Sequence, residues 1–431
     1  MTKTGSLKVV VASSLGTIVD YYDLFIVATA ASIVWPHIFF VGLSPAAVAS
    51  EVVITFGITY ITRPLGAIIF GHWGDRLGRR NMMVWTMVLT AIGIGGIAAL
   101  PDASVIGPES AFIIIVILRM IQGIGLGGEW PAASSLTVEY TATSKHRAFL
   151  TGWIQNGVNI GVLAASLAFT LIASVYTHSQ LLDFAWRIPF IVGVIIIGFA
   201  IFIRLRISES PMFEGLKSEK KIERVPLWGS IKKKWKVMLL LIPTAFFVIG
   251  APGIFVSGAY VLDYVEVGGL ISAADASLAV AIASAVSIFF TIGGSFIGDR
   301  FGRKVTLIIS SAVSAVFLYP FELLMGTYDY VLIVIGIVLL NGFFKIVDGV
   351  VPTLFAEQFE TKFRFSGSGF AYQLGSLALG IVSITLIPWV LTISHGIKHS
   401  LPIITVVGIV ASVLTLITAF FLTETKNKPL E

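Results

Sequence analysis

The sequence has no cysteine, so disulfide bonds and thiolate metal sites play no part in the fold. Charged residues are also scarce: Asp, Glu, Lys and Arg make up 12% of the 431 residues, whereas soluble domains contain about 25%. Hydrophobic residues reach 56%, and the mean hydropathy is +0.93. This balance excludes an ordinary soluble protein and predicts an integral membrane protein.

Motifs of several enzyme and pump classes are missing as well. No GxxxxGK[ST] phosphate loop occurs, so ATP-driven transport has no support. The six histidines have no metal-ligand spacing, and no Ser-His-Asp set can be assembled inside a membrane. We therefore expect no enzymatic activity, no metal site and no cofactor. Because the net charge of +5 is explained by the topology described below, we also expect no nucleic-acid partner.

Apolar runs long enough to cross a bilayer, about 20 residues each, recur along the whole chain. They lie at 10–35, 47–72, 82–100, 111–138, 149–175, 185–205, 237–262, 274–297, 305–324, 330–356, 367–393 and 400–422. The predicted fold class is therefore an all-α integral membrane protein with twelve transmembrane helices. Lys345 and Asp348 interrupt the tenth run, and we expect Pro243 and Pro252 to bend the seventh.

Basic residues cluster in alternate loops, and this asymmetry sets the predicted orientation. Lys3 and Lys8 precede a first run that lacks a small-residue cleavage site, so we expect a retained first helix and not a signal peptide. With the N-terminus inside, the opposite loops carry the acidic residues Asp102, Glu109, Asp183, Asp263, Glu266, Asp275 and Asp329. We expect a multi-pass protein of the cell (plasma) membrane with both termini cytoplasmic.

The chain also repeats itself. GDRLGRR at 74–80 recurs as GDRFGRK at 298–304, each directly after the second helix of a six-helix half. Two further pairs occur at similar offsets, VEYTATSKHR with AEQFETKFR and ISESP with LTETK. We expect two homologous six-helix bundles, at 1–206 and 237–431, joined by a cytoplasmic linker at 207–236. Alternating-access carriers are built in this way, with the substrate between the halves near the midplane.

Several longer segments resemble a known family. GHWGDRLGRR (71–80) resembles the loop motif between helices 2 and 3 of the major facilitator superfamily, and LRMIQGIGLGGEW (118–130) resembles its helix-4 motif. The segments most similar to the metabolite:proton symporter branch are SLGTIVDYYDLFI, ITRPLGAIIFGHWGDRLGRR, RMIQGIGLGGEW, WRIPFIVG, SESPMFEG and FRFSGSGFAYQLG. The resemblance covers nearly the whole chain and implies the major facilitator fold. That branch usually has Glu-Trp-Tyr-Asp in helix 1, and this chain has Asp20-Tyr21-Tyr22-Asp23.

The repeated motif predicts a cytoplasmic gate. Gly74 and Gly78 allow a tight turn, and the charged residues around it lie where helices end. We expect Asp75, Arg76, Arg79 and Arg80 to pair with Glu139 and Glu209. In the second half we expect Asp299, Arg300, Arg303 and Lys304 to pair with Glu357 and Glu424. Such pairs would close this side in one state and break in the other; the alternative is that the charges serve only topology and turn formation.

Two aspartates in the first helix are the candidates for proton coupling. Asp20 and Asp23 are three residues apart and share one helix face. Arg119 lies at a depth that suits Asp23, and the resemblance implies such a pair in sugar:proton symporters, so we predict Asp23 as the proton carrier. The alternative is a permanent ion pair. Asp20 could be a second proton site, a substrate contact or a polar neighbour, and Glu129 a second proton site or a packing anchor.

The tenth helix supplies the candidate for substrate binding. Asn341, Lys345 and Asp348 share one face, and a lone Lys345 would suit a carboxylate substrate, with Asp348 neutralising it when the site is empty. The alternative is a self-satisfied Lys345–Asp348 pair. Weaker candidates on other helices are Gln122, Tyr22, Gln155, Asn159, Tyr372 and Gln373. We assign Arg63 no role beyond a bend at the following Pro64.

These observations predict a proton-coupled symporter of a small organic anion, either a mono- or dicarboxylate or an aromatic acid. The alternative cargo is a sugar, a polyol or a zwitterion such as proline or betaine, with Lys345 merely paired to Asp348. A sensor is disfavoured, because the longest soluble segment is the linker at 207–236. The expected partners are the small-molecule substrate, the proton and the lipid bilayer, and we expect the protein to function as a monomer.

Overall fold

A computed structural model describes residues 3–43, 45–255, 273–327, 329–394 and 399–430. Within these ranges the chain is helical and contains no β-strand. This follows from the composition, because a lipid-facing segment must satisfy its own backbone hydrogen bonds, and an α-helix does so within one segment. Large apolar side chains such as Leu65, Ile195 and Val406 are exposed on the outside of the helices, where lipid would cover them.

Twelve long helices follow one another in the described residues. They are α1 Lys3–Ile33, α2 Pro45–Leu77, α3 Arg79–Ala98, α4 Pro108–Tyr140, α5 Arg147–Val175, α6 Arg187–Arg204, α7 Pro226–Phe255, α8 Ala273–Arg300, α9 Arg303–Met325, α10 Tyr330–Lys345, α11 Arg364–Ile381 and α12 Leu401–Phe421. Eleven stretches of the described chain are long and apolar enough to cross a bilayer. The predicted seventh span, 237–262, extends past the end of α7 into residues outside the described ranges.

Shorter helical segments complete the described chain. They are Trp35–Ile38, Ala103–Ile106, His178–Gln180, Pro211–Ser218, Val351–Ala356 and Ile387–Ile393, with π turns at Leu181–Ala185 and Val382–Leu386 and 3₁₀ turns at Val347–Gly349 and Thr361–Phe363. The predicted linker is therefore helical at Pro211–Ser218, and α7 begins inside it. Its backbone leaves helical geometry at Lys234.

The predicted tenth span, 330–356, is not one helix. It stops at Lys345 and resumes at Val351 after the 3₁₀ turn. Close contact with α8 accompanies this break: a Cβ added to Gly349 would lie 2.2 Å from the backbone nitrogen of Ser295. Lys345 and Asp348 were expected to interrupt the apolar run. The structure shows that the helix itself is also broken there.

The two halves pack by the same helix pairs. Helix α1 packs on α5, α4 and α6, and α7 packs on α11, α12 and α10. Between the halves, α2 packs on α11 and α5 packs on α8. Glycines bring α4 against α2, since a Cβ on Gly123 would lie 2.4 Å from the Thr59 carbonyl oxygen and one on Gly127 would lie 2.0 Å from that of Arg63.

We call the end of the bundle that carries both repeats, 74–80 and 298–304, the motif end. The first and the last segments of the described chain lie there. The Ser6 hydroxyl donates to the Tyr140 carbonyl at 3.2 Å, and Lys426 Nζ donates to the Arg300 carbonyl at 2.5 Å.

Candidate functional site

The repeated motifs form matching turns at the motif end. Gly78 and Gly302 both have positive φ angles, 115° and 119°, which favour glycine. Gly74 does not form the turn as predicted; it lies inside α2, and a Cβ there would be 2.1 Å from the Phe365 ring of α11. The motif therefore combines one turn glycine with one glycine that allows close contact between the halves.

Two glutamates accept hydrogen bonds from the backbone at the N-termini of the helices that follow these turns, α3 and α9. Glu209 Oε2 accepts from the Arg80 backbone nitrogen at 3.1 Å, and Glu424 accepts from the backbone nitrogens of Arg303 and Lys304 at 3.1 and 3.0 Å. A negative charge at a helix N-terminus is favourable. Burial raises the pKa of the Glu209 carboxyl, although nearby backbone N–H donors act in the opposite direction.

Each motif aspartate bonds to a helix of the other half. Asp75 accepts from the backbone nitrogens of Phe365 and Ser366 at 3.3 and 2.9 Å, at the start of α11. Asp299 accepts from those of Ala148 and Phe149 at 2.9 and 3.0 Å, at the start of α5. These carboxylates satisfy N–H groups that have no partner within the helix, so they join the two halves.

Ion pairs reinforce both joints. In the first half, Arg79 lies 3.1 Å from Asp75 and 3.5 Å from Glu139, and Arg364 of the second half lies 2.8 Å from Glu139.

The second joint repeats this arrangement. Arg303 lies 3.6 Å from Asp299 and 3.2 Å from Glu357, and Arg147 of the first half lies 2.7 Å from Glu357. The bridging arginines, Arg147 and Arg364, were not predicted for the gate, although both occur in the paired segments SKHR and KFR. The motif end is thus closed by contacts between the halves.

Four basic residues of the motifs behave differently from the prediction. Arg76 contacts His72 at 3.1 Å on its own helix, and Arg300 lies over the ring of Phe301; both side chains are exposed. Arg80 Nη2 donates to the Leu205 carbonyl at 2.5 Å, and Lys304 Nζ donates to the Phe420 carbonyl at 2.6 Å. None of these four side chains pairs with the expected glutamates; Arg80 and Lys304 contact Glu209 and Glu424 through their backbone nitrogens only.

A small cavity lies between the halves at mid-depth. Its lining comes from α1, α2, α4 and α11: Thr17, Asp20, Tyr21, Arg63, Leu126, Trp130, Tyr372 and Gln373. The volume of about 20 Å³ is enough for a water-sized group. A larger ligand would require the helices to separate.

Polar atoms without partners lie in this lining. Thr17 Oγ1, Asp20 Oδ1 and Arg63 Nε are buried and have no hydrogen-bond partner among the described residues. The Arg63 guanidinium lies 4.3 Å from the centre of the Tyr60 ring, and no carboxylate of the described chain lies within 4.0 Å of it. Buried polar groups are normally satisfied, so Arg63 Nε requires an acceptor, and Thr17 Oγ1 and Asp20 Oδ1 require a polar partner, which a ligand or a water would supply. Sequence reasoning missed Arg63.

An aromatic stack closes one side of the cavity. The rings of Trp130 on α4 and Tyr372 on α11 are parallel within 7° and 3.6 Å apart, and Phe355 packs edge-on against both. Trp130 Nε1 donates to Gln155 Oε1 at 2.7 Å. Two predicted candidates, Tyr372 and Gln155, therefore both contact the indole of Trp130. Trp130 itself was not among the predicted substrate candidates.

Two other candidates bridge the halves. Gln373 Nε2 donates to the Gly127 carbonyl at 3.2 Å. Asn159 Nδ2 lies 3.3 Å from Asn156 Oδ1 and 3.3 Å from the Thr291 hydroxyl of α8. Only Gln373 lines the cavity.

The predicted substrate face of helix 10 is not formed. Lys345 Nζ donates to Asp348 Oδ2 at 2.7 Å, and both side chains are buried. Asn341 turns to α8, where it donates to Ser287 at 2.8 Å. None of the three lines the cavity, because the helix breaks between Lys345 and Asp348.

Tyr22 also faces away from the cavity. Its hydroxyl donates to the Pro189 carbonyl at 2.9 Å, and its ring lies in the apolar core of the first half. The neighbouring Tyr21 lines the cavity instead. Adjacent residues on a helix point about 100° apart, so choosing the wrong one of the pair reverses the assignment.

Asp23 and Arg119 are connected through a third side chain. Gln122 Nε2 lies 3.1 and 2.9 Å from the two Asp23 oxygens, and Arg119 Nη1 donates to Gln122 Oε1 at 2.9 Å. Arg119 also donates to the Thr55 carbonyl of α2 at 3.2 Å. No direct Asp23–Arg119 contact lies within 4.0 Å, so the expected pair is replaced by a bridge. All three side chains are buried.

Glu129 belongs to a separate buried pair. Arg204 of α6 donates to both Glu129 oxygens, at 2.7 Å to Oε2, and the Thr86 hydroxyl donates to Oε2 at 2.7 Å. Arg204 Nη1 also donates to the Met83 carbonyl at 2.9 Å. Glu129 therefore connects α3, α4 and α6, and its partner is Arg204, to which the sequence analysis assigns no role.

Family models match the chain in two overlapping parts. The model for the Major Facilitator Superfamily matches residues 13–270, and the model for the Sugar (and other) transporter family matches residues 225–431.

Curated relatives match over most of their length. The inner membrane metabolite transport protein YhjE of Escherichia coli (strain K12) is 30% identical over 396 residues, which cover 89% of this chain and 88% of that protein. The shikimate transporter of the same organism is 30% identical and covers 95% of this chain and 93% of its own. Its proline/betaine transporter is 26% identical, covering 98% of this chain and 85% of that protein.

Solved structures share the fold at lower identity. The proton:xylose symporter XylE bound to 6-bromo-6-deoxy-D-glucose superposes with a TM-score of 0.78 at 17% identity, over 100% of this chain and 98% of that one. The inward open conformation of XylE from E. coli gives a TM-score of 0.68 at 20% identity, over 98% of each chain.

Proposed function

The chain belongs to the major facilitator superfamily, and we propose that it is a proton-coupled symporter of a small organic anion. It is a secondary transporter with membrane-spanning helices, and it is not an enzyme. The cargo, the coupling and the residues that carry them are the proposed part. The alternating-access cycle would move the first six helices against the last six, with 1–206 and 237–431 as the moving units.

The observation that carries the anion assignment is Arg63. This buried cation lines the central cavity, and within the described chain no carboxylate pairs with it. A substrate carboxylate placed there would supply the missing acceptor for Arg63 Nε and gain a charge-assisted hydrogen bond. Lys345 is a weaker candidate than the sequence suggests, since Asp348 already neutralises it. The relative named as a shikimate transporter supports a carboxylate cargo.

Asp23 is the proposed proton carrier. It is fully buried on α1 and bonded to Gln122, not held in a direct ion pair. A buried carboxylate without a contacting cation gains or loses a proton with less rearrangement than one in a tight ion pair. Substrate at Arg63 and proton at Asp23 would then occupy neighbouring sites on α1, α2 and α4.

The closed motif end supports the proposed gate. Asp75, Asp299, Glu139 and Glu357 contact helices of the opposite half, so inward opening at this end would have to break them. We propose that the motif end is cytoplasmic, which puts both termini in the cytoplasm and makes the protein a multi-pass protein of the cell membrane.

Transport by the purified protein in proteoliposomes tests the proposal. Labelled shikimate, benzoate and succinate serve as anion probes, under an inside-negative, acid-outside gradient. Wild type should accumulate at least one of them, more strongly as the external pH falls. Asp23→Asn should abolish accumulation yet keep exchange between equal pH values. Accumulation by Asp23→Asn at the wild-type level would reject the proton assignment.

A zwitterion is the second candidate, because Asp20 lines the same cavity with an unpartnered oxygen. Proline or betaine could place its carboxylate at Arg63 and its cationic nitrogen at Asp20. The variants separate the two cargoes: Arg63→Gln should weaken both, whereas Asp20→Asn should weaken only the zwitterion. Uptake of labelled proline with no uptake of any anion probe would replace the first proposal by this one.

A further inference from the structure

Gln122 links the proposed proton carrier to the buried arginine, and its orientation is fixed by chemistry. A guanidinium group has donors and no acceptor. The 2.9 Å contact with Arg119 Nη1 therefore requires the Gln122 oxygen on that side. Its NH₂ group then faces Asp23, where it lies 3.1 and 2.9 Å from the two carboxylate oxygens. This arrangement satisfies an ionised Asp23, which only accepts hydrogen bonds.

A protonated Asp23 does not fit the same arrangement. Its new O–H group is a donor and would meet the NH₂ group of Gln122, so one of the two contacts with Asp23 becomes donor against donor. Turning the Gln122 amide by about 180° restores an acceptor for the Asp23 hydroxyl. The same turn places the NH₂ group against Arg119, which is again donor against donor, so Arg119 loses its acceptor.

From this geometry we propose that Gln122 is a positioning residue that transmits the protonation state of Asp23 to Arg119 by reversal of its side-chain amide. The inference rests on the proposed function, in which Asp23 carries the proton. The proton forms an O–H bond at Asp23 and no other covalent bond changes. The hydrogen bond between Gln122 and Asp23 reverses its direction, and the hydrogen bond from Arg119 to Gln122 is lost. Released from Gln122, Arg119 keeps its bond to the Thr55 carbonyl and has a further unpartnered nitrogen, Nη2.

The other charged and titratable groups near this bridge lie on α1 and α2. Asp20 is one turn from Asp23 on α1, and Tyr22 neighbours Asp23. Tyr60 and Arg63 of α2 are close to Arg119. Among the described residues, neither α5 nor α6 contributes a charged group that acts on Asp23 or Arg119. Among the described side chains, Gln122 is the one that is hydrogen-bonded to both Asp23 and Arg119.

Gln122→Met tests the coupling, because methionine fills similar space without an amide. The variant should keep exchange of the anion probe at equal pH and lose about tenfold in gradient-driven accumulation, the size expected for charge-assisted hydrogen bonds. Asn341→Leu is the matched control, since it removes a buried amide outside the cavity; it should keep the wild-type accumulation ratio and pH profile. A wild-type accumulation ratio and pH profile in Gln122→Met would overturn the inference.

Infrared difference spectra between acidic and alkaline pH add a readout that a packing role would not change. Wild type should show a carboxylic C=O band that is absent in Asp23→Asn, together with a side-chain amide band that is absent in Gln122→Met. The carboxylic band without the amide band would overturn the amide reversal and leave the proposed function intact. Absence of any band assigned to Asp23 would reject both, because the proton site itself would be wrong.

Discussion

The buried charged side chains of the motif end differ from those of the central cavity in the partners they have. At the motif end, six carboxylates each accept hydrogen bonds at both oxygens: Asp75, Glu139, Glu209, Asp299, Glu357 and Glu424. In the cavity, Asp20 Oδ1 has no partner, and no carboxylate of the described residues lies within 4.0 Å of Arg63, whereas Arg79 at the motif end contacts Asp75 and Glu139 even though its Nε and Nη1 lack partners. Charges of the first kind hold helices together, whereas charges of the second kind remain available to a ligand.

The energetic argument behind this comparison is the cost of burial. An unsatisfied buried polar group costs about 1–3 kcal/mol, and a charge at membrane depth costs about 2.5–3.5 kcal/mol on insertion scales. This cost is offset when a bound ligand supplies the missing hydrogen-bond partners of Asp20 and Arg63. Lys345 and Asp348 also lie at mid-depth, where Lys345 Nζ pairs with Asp348 Oδ2 at 2.7 Å, so their charges neutralise each other although Asp348 Oδ1 has no partner among the described residues.

The largest expected effect comes from breaking that pair. Lys345→Gln leaves Asp348 as an unpaired buried charge, which should destabilise the protein by about 3–5 kcal/mol. The double variant Lys345→Gln/Asp348→Asn should recover most of this and keep anion binding. Thermal unfolding in detergent gives the stability, and binding of the transported anion gives the function. Loss of anion binding in a stable double variant would instead make Lys345 the substrate site.

Removing the cation of the cavity should have the next largest effect. Arg63→Gln should weaken carboxylate binding by about 2–3 kcal/mol, roughly 100-fold, because one charge-assisted contact is lost. Titration calorimetry with the transported anion measures this. Arg187→Gln is the matched control: it removes an arginine whose partner is the partly exposed Asp102, 3.0 Å away, and should leave affinity unchanged. Equal affinity in Arg63→Gln and wild type would contradict the comparison.

Much of the motif end could be predicted because its signals are local and repeated. A turn glycine, an aspartate and an arginine recur at the same spacing, and helix ends attract charges of defined sign. The bridging arginines Arg147 and Arg364 end the paired segments VEYTATSKHR and AEQFETKFR, but the prediction of the gate did not include them. Which residue of the opposite half each aspartate reaches depends on how the halves pack, and that is not written in either motif.

The cavity was harder to predict, because apolar helices of a bundle carry no polar face that identifies the interior. The depth argument predicts Asp23 beside Arg119, but Gln122 lies between them, because the rotation of α4 about its axis cannot be read from depth. Tyr21 and Tyr22 were not separable by depth either. Arg63 was missed because the adjacent Pro64 suggested only a bend. The direction in which its side chain points depends on how the helices pack, which the sequence does not show.

Weakening one joint of the motif end should shift the conformational equilibrium by a smaller amount. Asp299→Ala or Asp75→Ala removes the acceptor at a helix start, worth about 1 kcal/mol or roughly fivefold in population. Asparagine at either position should have less effect, since it still accepts. Because the chain has no cysteine, spin labels at Arg76→Cys and Arg300→Cys, both exposed, report the opening. If the alanine variants show the wild-type distribution of distances between the two spin labels, Asp75 and Asp299 are not part of the gate.

The smallest expected effect separates two adjacent tyrosines, one in each kind of environment. Tyr22→Phe removes a buried hydrogen bond to the Pro189 carbonyl, which should lower stability by about 0.5–1.5 kcal/mol and leave anion affinity unchanged. Tyr21→Phe removes a hydroxyl beside the cavity and should change affinity by about threefold with little loss of stability. Thermal unfolding and calorimetry on both variants give a two-by-two test. The comparison fails if Tyr22→Phe is the variant that alters affinity, because a fully packed side chain of the first half would then be acting on the ligand.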